Sequence, residues 1–217
     1  MVENGGRIVE KLAVFGGKPV FETKIGYGHQ YIDDADIQAV VDVLKSDFLT
    51  CGPKINEAEA KLCEITGAKH AVLISNGTAA LHAACFAAGI GPGDEVITTP
   101  ITFAASANCA LYCGGKPVFA DINPETYNIA PDSIEKCITE RTKAVVAVDF
   151  TGQAVEVQRI REICDKHNLI FIEDAAHSLG TRFNGKPIGS LEDMTEFRFH
   201  PVKTCTAGEG GEIHTDD

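Results

Sequence analysis

Ile37, Val40, Val41 and Leu44 return at helical spacing, as do Ile55, Ala58, Leu62 and Ile65 further on. Each set falls on one face and predicts a helix. Asp33 or Asp34 can cap the first helix, and Gly67 stops the second. Residues 46–53 between them, ending in Gly52-Pro53, read as an irregular loop. From residue 71 the pattern changes. Short runs at 71–74, 117–121, 144–148 and 169–172 are apolar at nearly every position, and 95–99 sets Val96 and Ile97 between Glu95 and two threonines, which predicts buried strands. Helical stretches separate them: 78–89, 104–112, one starting near Asp132 with Glu135 as its capping-box partner, and one carrying Val157, Ile160, Ile163 and Cys164. The stretch 78–89 is apolar nearly all round, so a helix there is expected to be covered on every side.

Strands and helices in this alternation predict an α/β fold in three αβα layers, a mostly parallel sheet with helices on both faces. Residues 1–26 read as an arm with a turn at Gly16-Gly17-Lys18-Pro19, and 27–217 as the body. Ligands of such sheets bind beyond the carboxyl ends of the strands. Five loops from distant parts of the sequence would meet there: Asn76-Gly77-Thr78, Thr99 to Phe103, Gly152-Gln153, Asp174 to His177, and the stretch around Lys203.

Composition narrows the partners. A net charge of -12 argues against nucleic acid and anionic membranes. No stretch is long and apolar enough to span a bilayer, and the start lacks the pattern of a secretory signal. Eight cysteines include no C-x-x-C pair and no zinc spacing. They read as reduced thiols of a cytoplasmic protein.

Lys203 follows an apolar run and precedes a glycine-rich turn. Most lysines are solvated surface groups, but one held in the protein has a lowered pKa and an amine able to attack an aldehyde. Asp174, after four apolar residues, is equally a strand-end cap or the partner of a ring nitrogen. His177 is a cap or a hydrogen-bond partner for a ring oxygen. Gly77 and Thr78, between a strand and a helix, are either an ordinary helix start or a phosphate cradle of free amides and a hydroxyl. Phe103 is a core aromatic or a platform for a flat ring. A lysine that forms a Schiff base and an acid that holds a pyridinium proton are what pyridoxal 5′-phosphate (PLP) needs.

Together, Ser75 to Leu81, Gly91 to Ile97, Thr99 to Phe103, Glu173 to His177 and Phe199 to Lys203 resemble the DegT/DnrJ/EryC1/StrS sugar aminotransferases, from about Lys11 onward. Tyr27-Gly28, Lys45 to Thr50 and Ser106 to Gly114 are most similar to the pseudaminic-acid branch, which aminates C4 of a UDP-linked 4-keto-6-deoxy-N-acetylhexosamine with L-glutamate as donor. The resemblance implies the aspartate-aminotransferase fold (fold type I) and a homodimer with its sites at the subunit interface. It also implies roles. Lys203 matches the Schiff-base lysine, Asp174 the ring-nitrogen partner, and His177 the neighbour of the phenolic oxygen. Gly77 and Thr78 match the phosphate cradle, and Phe103 the stacking position. Tyr27 and Asp47, Phe48, Leu49 and Thr50 match the segment along the nucleotide sugar. The family continues past Asp217 into a small C-terminal domain, so 27–217 are expected to be the large domain only. A sugar dehydratase of the same fold would carry histidine where Lys203 stands. A non-catalytic relative that binds PLP or a sugar nucleotide is the other alternative. Arg198 replaces the family's usual phosphate-binding serine, and Glu196 stands where an apolar residue is common. The guanidinium can bind the phosphate or fill its cup; a serine-sized space favours filling.

Overall fold

The computed structural model describes residues 2–4, 7–9, 11–26 and 28–217. It forms two units, Met1–Tyr31 and Ile32–Asp217. In the first, β1 (Val2–Asn4) pairs antiparallel with β2 (Arg7–Val9), and a tight helical turn covers Ala13–Phe15.

The second unit begins with α1 (Asp34–Leu44). Its N-terminus is a reciprocal capping box: the Asp33 carboxylate accepts from the N–H groups of Ala35 and Asp36, and Asp36 accepts from Asp33. Ile37, Val40 and Leu44 remain exposed, so this apolar stripe adds nothing to the core of the chain. Helix α2 (Pro53–Thr66) starts on a proline and ends on Gly67 in the left-handed conformation.

A seven-stranded sheet follows. Its strands are β3 (His70–Ile74), β4 (Glu95–Thr98), β5 (Lys116–Phe119), β6 (Thr142–Val148), β7 (Ile170–Asp174), β10 (Met194–Arg198) and β11 (Gly211–Thr215). The order is β3-β11-β10-β7-β6-β4-β5, and β11 alone runs against its neighbours. A small hairpin, β8 (Arg182–Phe183) and β9 (Lys186–Pro187), lies between β7 and β10 in sequence. Helices α3 (Gly77–Ala87) and α4 (Ala105–Tyr112) cover one face, packing Leu81, Cys85 and Cys109 on Val96, Val146 and Ile172. Helix α6 (Val157–His167) covers the other, packing Ile160 and Ile163 on Val145, Phe171 and Phe197. Helix α5 (Pro131–Cys137) adds Ile134, and α2 adds Leu62.

Three expectations change. Strands β3 and β5 are edge strands rather than buried ones, with Val72 and Phe119 each 53% exposed, because only β11 flanks β3 and only β4 flanks β5. Helix α3 is covered on one side only: Ala80, Leu81, Ala84 and Cys85 are buried, whereas Phe86 is 76% exposed. No capping box forms at Asp132. The helix starts one residue earlier, on Pro131, whose fixed φ sets the first turn. Asp132 and Glu135 instead pair with Arg159 and Lys166 of α6.

Candidate active site

The carboxyl ends of the parallel strands surround a cavity of about 430 Å³ bounded by Gly77, Thr78, Phe103, Asp174, His177, Glu196, Arg198 and Lys203. Four of the five expected loops reach it. The fifth does not: the wall after β6 is made by Val148, Asp149 and Phe150 rather than by Gly152 and Gln153.

Alternation along β7 decides which acid faces the cavity. Phe171 packs towards α6, so Ile172 and Asp174 point to the α3–α4 side. There the Ser106 hydroxyl of α4 donates to Asp174 Oδ2 at 2.6 Å, and the Ala176 N–H donates to Oδ1 at 3.3 Å. Thr102 holds Ser106 in turn, at 2.7 Å. Asp174 is 6% exposed, so these two donors replace most of its water.

Lys203 lies in the turn after β10. Its N–H donates to the His200 carbonyl at 2.9 Å, and its Nζ reaches His177 Nε2. The Thr204 hydroxyl donates to the His177 carbonyl at 3.1 Å and ties the two loops together. Burial, and then the Arg198 guanidinium, push the Lys203 ammonium below its ordinary range, against a smaller upward pull from Asp174 and Glu196. Burial and Lys203 likewise push the His177 imidazole down. Both shifts move the pair towards its uncharged forms.

At the start of α3, the Asn76 side chain accepts from the Ala79 N–H at 2.9 Å. Gly77 is needed as glycine: a Cβ built on it would overlap Glu196 Oε1 and stand 3.1 Å from Arg198 Cδ. Glu196 pairs in register with Asp174 and is 1% exposed, and neither of its oxygens has a hydrogen-bond partner. Burial, then the Asp174 charge, raise its carboxyl well above the usual carboxylate range. Arg198 Cζ stands 5.4 Å from the centre of the Phe103 ring.

Lys203, Asp174, His177, Gly77, Thr78, Phe103 and Arg198 thus come together. Asp47, Phe48, Leu49 and Thr50 do not join them; they form an exposed loop between α1 and α2. Tyr27 lies outside the described residues. Ser106 and Glu196 enter the site without a chemical signal of their own. The i, i+4 spacing of Thr102 and Ser106 hints at the first, and the break of an apolar pattern at Glu196 at the second.

A second acidic group runs from Asp149 in the cavity wall to the far face of the sheet. Asp149, Glu173 and Glu192 are all buried, and each keeps a side-chain oxygen without a partner. Burial raises all three carboxyls, Asp149 to about 6.

The profile of the DegT/DnrJ/EryC1/StrS aminotransferase family matches residues 30–217. The chain belongs to this family. A family member from Campylobacter jejuni, UDP-4-amino-4,6-dideoxy-N-acetyl-beta-L-altrosamine transaminase, is 43% identical over 192 residues, 87% of this chain and 50% of its own. Helicobacter pylori PseC, an aminotransferase involved in the biosynthesis of pseudoaminic acid, superimposes with a TM-score of 0.85 at 39% identity, covering 90% of this chain and 53% of its own. The PLP-form of Spr1654 from Streptococcus pneumoniae gives 0.87 at 33%, covering 90% and 54%. The fold is therefore the expected fold type I of the PLP aminotransferases. The chain spans about half the length of the curated relatives it matches.

Proposed function

We propose that this chain carries the cofactor site of a PLP-dependent aminotransferase that moves an amino group from L-glutamate to a UDP-linked 4-keto-6-deoxyhexose, in the synthesis of pseudaminic acid or a related surface sugar. The observation that carries the reading is the convergence of Lys203 and Asp174 on one cavity from separate strands. The names of the Campylobacter and Helicobacter relatives support the substrate class. Resemblance within the family supports a cytoplasmic homodimer.

The residues present fit the ring of PLP. An amine of lowered basicity, a buried carboxyl group with two donors and the Phe103 ring, here beneath the Arg198 guanidinium, line the same space. At the other end the amides of Gly77 and Thr78 open a helix whose dipole favours a phosphate. Bound here, PLP supplies an electron sink for the carbanion formed at the amino-acid carbon.

The chain's own groups do the rest. Asp174, held by Ser106, would face the ring nitrogen with its carboxyl group. Lys203, its basicity lowered by burial, would hold the cofactor through its aldehyde and would serve as the base that moves a proton at the amino-acid carbon. His177 orients the lysine amine and a ring oxygen. Gly77 and Thr78 would hold the phosphate, and Phe103 would cover one ring face, once Arg198 has moved aside.

The test is borohydride reduction of the PLP-loaded protein followed by peptide mass spectrometry. A phosphopyridoxyl group on Lys203 is expected; its presence on another lysine, or on none, rejects the assignment.

A further inference from the structure

Arg198 occupies both of the surfaces that the cofactor needs. The residue ends β10 on the same face as Glu196 and Asp174. Its side chain passes over the start of α3, where a Cβ on Gly77 would stand 3.2 Å from Arg198 Cβ and 3.1 Å from Cδ. It then reaches the Phe103 ring, with Cζ 5.4 Å from the ring centre. Its Nε is buried without a hydrogen-bond partner. No carboxylate forms a salt bridge with it among the described residues. The aromatic face is therefore its attractive partner, and the helix start is the ground it covers.

We propose, on the cofactor reading above, that Arg198 is a side-chain plug: the guanidinium stands where the cofactor ring would stack, and the aliphatic stem covers the phosphate cradle. Loading then requires Arg198 to leave Phe103. A guanidinium on an aromatic ring is held by a cation–π attraction, and losing it weakens cofactor binding by roughly 5- to 30-fold. A short hydroxyl side chain at 198 would leave both surfaces open.

The alternative geometry is a swing in which the guanidinium pairs with the phosphate. Comparing two ligands separates them, because pyridoxal has the ring and aldehyde of PLP but no phosphate. The wild-type chain, Arg198→Ser and Arg198→Ala are titrated with each ligand, bound cofactor is read by absorbance, and folding is checked by circular dichroism. A plug predicts that both variants bind PLP and pyridoxal alike more tightly, by roughly 5- to 30-fold. Weaker PLP binding by the variants, with pyridoxal unchanged, makes Arg198 a phosphate ligand and overturns the proposal. Equal affinities for both ligands overturn it too, since Arg198 would then leave at no cost. If no chain binds either ligand at Lys203, the cofactor reading falls and the plug falls with it.

Discussion

The buried acids Asp149, Glu173 and Glu192 make stability depend on pH in an unusual direction. Asp149 follows β6 and is 1% exposed. Its Oδ1 accepts from the Val155 N–H at 2.9 Å, while Oδ2 has no partner. Glu173 of β7 and Glu192 before β10 face it, with the hydroxyls of Ser178 and Thr195 close by. Burial lifts the Asp149 carboxyl from 3.8 to about 6. A carboxyl whose pKa is raised on folding stabilises the fold fully below its unfolded value, and that contribution disappears as the pH climbs through the folded value. At about 1.4 kcal/mol per factor of ten in proton affinity, the full effect is about 3 kcal/mol, and about 2 kcal/mol of it falls between pH 4.5 and 8. Asp149→Asn keeps the acceptor for Val155, and its amide can donate towards Glu173. The variant cannot ionise. Its stability relative to wild type should therefore rise by about 2 kcal/mol from pH 4.5 to 8, or about 4–8 °C in Tm for a chain of this size. Thermal unfolding followed by circular dichroism at the two pH values measures it. A gap that stays constant with pH, or that closes as the pH rises, would refute the assignment of a buried neutral acid.

Two further outcomes test the site. On the proposed function, Asp174→Asn should leave the fold intact, because the amide oxygen can still accept one hydrogen bond, yet slow amino transfer from L-glutamate by on the order of 10²–10³ in kcat; near-normal turnover would make Asp174 structural. Gly211→Ala should destabilise the chain by about 1–3 kcal/mol in denaturant unfolding, because its Cβ would lie 2.5 Å from the Asn76 carbonyl oxygen and 2.6 Å from the Gly77 nitrogen; unchanged stability would show that the start of α3 can yield.

Local information was enough for much of this protein. The periodicity of Ile37 to Leu44 and of Ile55 to Ile65 located two helices, since 3.6 residues per turn is a property of the backbone alone. Gly67 marked a helix end through its own φ preference, and the apolar runs marked strands, whereas Pro53, read as the end of a loop, opens α2. The order of loops placed Gly77, Phe103, Asp174 and Lys203 at one sheet edge, because parallel strands point their carboxyl ends the same way. What stayed hidden depends on neighbours far apart in the chain. Alternation along β7 puts Glu173 and Asp174 on opposite faces, but only the packing of α4 and α6 tells which face is the cavity. Glu196 beside Asp174 follows from the β7–β10 register, and Arg198 over Phe103 from the meeting of the end of β10 with the loop after β4. The burial of Asp149, Glu173 and Glu192 likewise comes from three separate segments closing on one another. Sequence spacing sets which side chains share a face; the partner that covers that face, and hence the charge state of a buried acid or lysine, is set only when the layers pack.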